Sequence, residues 1–137
     1  MFVELLLAVS ILLTPTPAED SVSLDSYIWN GTQLTAQMGV NFDCPMYAET
    51  WYDEPMDSFI HFLYDLGWEG YHWIRNDGVH MWHNSDGDFV MIGAYLPKYP
   101  RGTYLPTSRG MGIVADTGYF YYGEDQIDIA TIWRSYL

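Results

Sequence analysis

From Gly70 to the C-terminus the chain is a succession of short β-favouring runs cut by turn residues, and this pattern constrains the fold more than any other feature. Tyr71 to Asn76 and Val79 to His83 flank Asp77-Gly78, a pair suited to a two-residue type I′ turn because both central positions need positive φ. With that turn Trp73 faces Trp82 and His72 faces His83. Asp86-Gly87 then leads into Phe89-Val90-Met91-Ile92-Gly93-Ala94, an unbroken apolar run expected of a strand buried on both faces. Pro97, Pro100 and Gly102 punctuate a loop before Thr103 to Leu105. Ser108-Arg109-Gly110 turns the chain into Gly112 to Ala115, and Ile127 to Trp133 forms the last strand. One segment reads as a helix, Asp53 to Gly67. Asp53 is placed to cap it, Pro55 is tolerated in the first turn, and Glu54 and Asp57 sit where the helix dipole favours anions. Met56, Phe59, Ile60, Leu63 and Leu66 make one apolar stripe at helical spacing, His61 falls off that stripe towards solvent, and Gly67 supplies the stop. Many short strands and a single helix predict a mainly β domain of the small-barrel type.

Upstream, Leu5 to Leu13 is apolar except for Ser10. Nine residues are too few for a membrane span, which needs about 20. They suit the apolar region of a secretory leader, with Thr16-Pro17-Ala18 as the cleavage segment, so residues 1–18 are expected to be a signal peptide. Residues 19–48 read as an N-terminal extension with a hairpin at Asn30-Gly31, between Tyr27-Ile28-Trp29 and Thr32 to Thr35. Residues 49–137 remain as one domain, and a monomer is expected.

Charge narrows the partners. Five Lys and Arg against eighteen Asp and Glu give a net charge of −13, which supplies no cations to displace counterions from a phosphate backbone. Nucleic-acid binding is not expected, and membrane contact is expected only through an uncleaved N-terminus. Cys44 is the single cysteine, so it is read as a buried structural thiol, and neither an intramolecular disulfide nor a cysteine zinc site can be assembled. His72, His80 and His83 lack a third ligand at metal-binding spacing. No metal and no cofactor are predicted.

Two segments carry candidate chemistry, Gly112 to Gly118 (GIVADTG) and Gln126 to Trp133 (QIDIATIW). Each sets an Asp among apolar β-formers, where burial raises a carboxyl pKa and keeps it protonated near neutrality. A general acid that must protonate a glycosidic oxygen needs this property. For Asp116 the plainer alternative is a turn carboxylate bonding nearby amides. An aspartic-protease dyad is set aside, because the 21 residues after Asp116 leave no room for a flap and a second half.

The longer pattern DGDFVMIGAYLPKYPRGTYLPTSRGMGIVADTG…QIDIATIW resembles the 3D (Asp-Asp-Asp) domain family of Gram-positive bacteria and their phages, related to the catalytic domain of membrane-bound lytic transglycosylase A. Gly102-Thr103 matches the family's Gly-Thr, Gly110 its turn, and Asp116-Thr117-Gly118 and Ile127-Asp128-Ile129 its two Asp motifs. Glu49 to Met56 and His72 to Trp82 resemble the region before the core in phage-type members, so the likeness runs from Glu49 to Trp133. It implies a six-stranded double-psi β-barrel with one accessory α-helix, outside the cell, acting on peptidoglycan glycan strands. Asp128 would then be the general acid and base that cleaves between N-acetylmuramic acid and N-acetylglucosamine and closes a 1,6-anhydro ring. Asp116 would shape the site, and Thr117, Gly118, Gly102 and Thr103 would bind substrate. Where the family carries its first Asp after the apolar strand, this chain reads Gly93-Ala94-Tyr95. A non-catalytic glycan-binding or phage or wall structural module on the same fold is the alternative. Trp73, Trp82, Tyr119, Phe120, Tyr121 and Tyr122 are either core or a sugar-stacking wall.

Overall fold

The computed structural model describes residues 31–137 apart from Tyr47 and Tyr119. The expected leader and the first arm of the Asn30-Gly31 hairpin lie outside the described residues. Those described form a mainly β fold with one α-helix: β1 (Val40–Asn41), β2 (Ala48–Tyr52), α1 (Asp57–Asp65), β3 (Tyr71–Ile74), β4 (His80–Asn84), β5 (Gly87–Gly93), β6 (Tyr104–Thr107), β7 (Gly110–Asp116) and β8 (Gln126–Ala130), then a 3-10 turn at Trp133–Tyr136.

All eight strands join one sheet in the order β1-β2-β8-β5-β4-β3, with β7 on the other edge of β5 and β6 outside β7. The pairings β2 with β8 and β5 with β7 are parallel, and the rest are antiparallel. Strand β5 serves three partners because its two edges are used differently along its length. Its first half meets β4, Ile92 and Gly93 meet β8, and Val90 to Gly93 meet β7 on the other side. The expected six strands closed into a barrel are thus eight strands in an open sheet. Closure fails because β1, β3 and β6 each pair on one side only, and β1 has just two residues to offer.

Alternation along β5 sends its side chains into two cores. Val90 and Ile92 join Leu34, Val79, Met81, Val114, Ile127, Ile129 and Trp133 on one face. Phe89 and Met91 join Met56, Leu63, Trp82, Ile113, Ala115 and Ala130 on the other, which α1 covers. Burial on both faces explains why β5 reads as an unbroken apolar run.

Three local expectations are corrected. The helix begins later than expected, at Asp57, with Met56 at its cap position and no side-chain cap bond. Asp53 is instead drawn to the C-terminal turn, where its Oδ2 accepts from the Arg134 N–H at 2.8 Å. The stop at Gly67 holds, with φ +95° and its N–H donating to Tyr64 O at 2.9 Å. On the apolar stripe Leu63 is fully buried, whereas Leu66 is 50% exposed.

The β3–β4 hairpin is one residue out of the expected register: His72 pairs with Trp82 and Trp73 with Met81. Its loop is longer, because Arg75 N–H bonds Val79 O and Gly78 N–H bonds Arg75 O, leaving three residues with Gly78 at φ +83°. Asp77 favours this loop over a two-residue turn because its carboxylate is gripped by Arg75 at 2.9 and 2.8 Å and by Arg109 at 3.2 Å. Thr32 to Thr35 forms no strand. Leu34 leaves the surface instead, fully buried with its N–H donating to Ser108 Oγ at 3.0 Å.

Candidate active site

The end of β5 brings the two candidate acids together. Gly93 pairs with Asp128 of β8 on one side and with Asp116 of β7 on the other, while Thr50 of β2 pairs with Asp128. Thr50, Asp128, Gly93 and Asp116 therefore form one row across four strands, with about 10 Å between the two Asp Cα atoms from two interstrand spacings. A register shift makes this row possible. Ile92 pairs with Val114 but Gly93 pairs with Asp116, which leaves Ala115 as the extra residue of a bulge. Regular alternation would send Asp116 to the face of Val114; the bulge turns it to the face of Asp128.

Asp128 is half-buried between Ile127 and Ile129, both fully buried. Its Oδ1 accepts the Thr50 hydroxyl at 2.9 Å. Burial pushes the carboxyl up to about 6, the negative charges of Asp116 and Glu54 push the same way, and the Thr50 bond opposes them. Asp116 accepts the Thr117 N–H on Oδ1 at 2.8 Å and the Tyr52 hydroxyl on Oδ2 at 3.4 Å. Burial and the two neighbouring carboxylates raise the Tyr52 phenol well above its ordinary range, so it remains a donor. Strand β2 thus touches both acids through residues two apart, Thr50 and Tyr52, which share a face. Gln126 stands behind Thr50 and donates its Nε2 to Thr50 Oγ1 at 2.9 Å.

The other predicted site residues divide. Thr117 and Gly118 follow Asp116 and are exposed, and a Cβ at Gly118 would lie 3.9 Å from Asp128 Oδ2. Gly102 and Thr103 are not gathered with Asp128. They brace the outer edge of β7, where Gly102 N–H donates to Val114 O and Val114 N–H to Thr103 O, both at 2.8 Å. Asp86 and Asp88 do not reach the row. Asp88 is the second residue of β5, about 16 Å from Gly93 along the strand, and binds Trp73 Nε1 and His83 Nδ1, both at 3.0 Å. Asp86 accepts the Tyr104 hydroxyl at 2.7 Å.

Thr50 and Tyr52 were not legible as site residues, and Gln126 was not singled out. Thr50 lies 78 positions from Asp128, joined to it by parallel pairing that no local pattern announces. Gln126 was within reach of a sequence argument, since its spacing of two from Asp128 on a strand puts both on one face.

Cys44 is buried, with its thiol donating to Met46 O at 3.1 Å, and burial pushes it up to about 12, as suits a structural thiol. The histidine contact differs from the expected His72–His83 pair. The register shift sets His72 Nε2 2.7 Å from His80 Nδ1, and His83 stacks on Tyr71. Among the described residues no group of three or more His, Cys, Asp or Glu side chains could hold a metal ion. Of the aromatics, Trp82 is core at 1% exposure and Trp73 packs beside the other core. Tyr121 is open to solvent, and Tyr122 sits edge-on between it and Phe42. No helix among the described residues is long and apolar enough to cross a membrane.

Comparison of the chain with protein-family models, with curated proteins and with solved structures gave no match.

Proposed function

We propose that this protein cleaves glycosidic bonds in peptidoglycan outside the cell, as a lytic transglycosylase-like enzyme with Asp128 as general acid and base. The observation that carries this reading is the Asp128 carboxyl, half-buried, raised to about 6, and held, among the described residues, by Thr50 through one oxygen. With that value about one molecule in ten carries the proton at pH 7, and a substrate that displaces water from the row raises the fraction. The neutral acid protonates the glycosidic oxygen between N-acetylmuramic acid and N-acetylglucosamine. The resulting carboxylate accepts the proton of the muramyl 6-hydroxyl as that oxygen closes the 1,6-anhydro ring. One carboxyl serves both steps, unlike the two-carboxylate arrangement of most glycosidases. Asp116 favours the neutral acid through its charge.

The same reading likens the two parallel pairings and the three-partner strand β5 to the centre of a double-psi barrel of the 3D-domain type, here left open. Gly93-Ala94-Tyr95, at the place of the family's first Asp, favours a second reading: a module that grips glycan strands without cutting them. Digestion of purified sacculi followed by mass spectrometry separates the two. Fragments ending in 1,6-anhydro-N-acetylmuramic acid are expected, and reducing ends would indicate hydrolysis instead. Sacculus binding without release, unchanged in Asp128→Asn, would leave the binding module.

A further inference from the structure

We infer that Thr50 and Gln126 are positioning residues of Asp128: a one-way hydrogen-bond relay selects Oδ2, on the Gly118 side, as the oxygen that carries the acid proton. The catalytic part of this inference rests on the glycan-cleaving function proposed above; the relay itself rests on geometry.

The direction of the relay follows from its far end. The backbone N–H of Tyr122 donates to Gln126 Oε1 at 2.8 Å, which fixes the carbonyl end of that side-chain amide. Its Nε2, able only to donate, therefore faces Thr50 Oγ1 at 2.9 Å. Gln126 is 3% exposed, so water does not compete for these bonds. Thr50 has one hydroxyl hydrogen, and its oxygen is already an acceptor for Gln126. That hydrogen has two acceptors in reach, Asp128 Oδ1 at 2.9 Å and Ile127 O at 3.4 Å, and the shorter bond to the carboxyl prevails.

Asp128 Oδ1 is thus committed as an acceptor. A proton on Oδ1 would have to turn the Thr50 hydrogen away to the longer bond with Ile127 O, so the neutral acid carries its proton on Oδ2. Among the described residues none donates to Oδ2. That oxygen faces Gly118, where a Cβ would lie 3.9 Å away and the backbone is exposed. The bond acceptor for the proton must therefore approach over Asp116-Thr117-Gly118. The relay also holds the carboxyl in one rotamer through proton loss and recovery, because Thr50 donates to Oδ1 in both states.

The test is a titration of the Asp128 carboxyl by carbon-13 NMR in protein labelled at aspartate, with the resonance assigned by its loss in Asp128→Asn. Thr50→Val removes the donor to the anion and should raise the midpoint by about one unit, the size of one hydrogen bond to a charged group. Thr50→Ser keeps the hydroxyl and should titrate like the wild type. Gln126→Met frees the Thr50 hydrogen to swing towards Ile127 O and should raise the midpoint by less than Thr50→Val. On sacculi, Thr50→Val should lower kcat with KM little changed and move the alkaline limb of the pH profile upward with the NMR midpoint; Thr50→Ser should restore both. A wild-type midpoint in Thr50→Val, or a raised one in Thr50→Ser, would overturn the relay. If Thr50→Val does not fold, an unshifted midpoint in Gln126→Met overturns it equally. The expected midpoints with a wild type inactive on sacculi would remove the proposed reaction and keep the relay, while activity with unshifted midpoints would do the reverse.

Discussion

Glu49 and Asp128 lie on neighbouring strands, one register step apart, yet they face opposite sides of the sheet and meet opposite treatment. Glu49 is fully buried and both of its oxygens are occupied: Oε2 accepts the Ser108 N–H at 2.6 Å, and Oε1 accepts the Ser108 hydroxyl at 2.5 Å and Asn41 Nδ2 at 3.4 Å. Nearby, Arg109 donates Nε and Nη2 to Leu34 O and Nη1 to Asp77, which Arg75 holds through both oxygens. This side of the sheet fastens the Leu34 segment to the Ser108 turn and the β3–β4 loop. On the other side Asp128 has, among the described residues, one donor, from Thr50, and its other oxygen faces an exposed loop. A buried carboxylate with both oxygens engaged is a fastening, since a change in its proton state breaks bonds. A half-engaged carboxylate can exchange a proton without dismantling its surroundings, and that difference separates the candidate catalyst from the buried acids around it.

Two substitutions should break the comparison from either end. Asp128→Asn keeps an oxygen for Thr50 and removes the exchangeable proton. Release of anhydromuramyl fragments from sacculi should fall by about 10²–10⁴, the usual share of a general acid, while far-UV circular dichroism stays that of the wild type. Retained release would place the acid elsewhere. Glu49→Ala should do the opposite. It strands the Ser108 and Asn41 donors in a dry environment, and urea unfolding should show a loss of about 3–5 kcal/mol. A loss below 1 kcal/mol would mean that water enters and replaces the carboxylate.

The strand pattern from β4 to β8 was readable because turn residues bound each run and alternation names the faces. Phe89 to Ile92 announces a strand buried twice, and Ala48 to Tyr52 does not announce that it pairs with a segment 78 residues away. Asp116 and Asp128 stood out because an acid among β-formers is unusual. Their meeting was expected from the family resemblance and not from local pattern, because it depends on the bulge at Ala115, and a one-residue shift decides which face Asp116 takes. The β3–β4 register was missed for a related reason: Asp77-Gly78 favours a two-residue turn in isolation, and the Arg75 and Arg109 contacts that lengthen it are tertiary.

A smaller effect sharpens the contrast between function and stability. Because burial raises the Asp128 pKa from 3.8 to about 6, keeping it ionised at pH 7 costs the folded state about 2–3 kcal/mol. Asp128→Asn should therefore be more stable than the wild type at pH 7 by about that amount, with the difference vanishing near pH 4, in urea midpoints measured at both values. Equal stability at pH 7 would mean that the carboxyl is hydrated and its pKa ordinary.

The smallest expected effect is in the wild type itself, where acids and bases of opposite sign offset one another. For Asp128 the folded state holds a proton that the unfolded chain has lost between pH 3.8 and about 6, so its contribution to stability falls as pH rises through that window. Glu49, also raised by burial, acts in the same direction. The His72–His80 pair acts in the other. Burial, and for His80 also the neighbouring imidazole, lowers both, His80 from 6.5 to about 4. Here the unfolded chain holds the proton between about pH 4 and 6.5, so stability is complete above 6.5 and lost as pH falls. Asp57 beside His72 and Asp53 beside His80 oppose the lowering, and among the described residues nothing partners the buried His80 Nε2, which keeps the ring neutral. With two acids and two bases working against each other over nearly the same range, the wild-type urea midpoint should change little between pH 6.5 and 4. Each class of variant should uncover the other's slope: Asp128→Asn should lose stability on acidification, and His80→Asn should gain it relative to its own value at pH 6.5. Parallel slopes in both variants would show that the buried acids and the histidine pair do not carry opposing proton linkage.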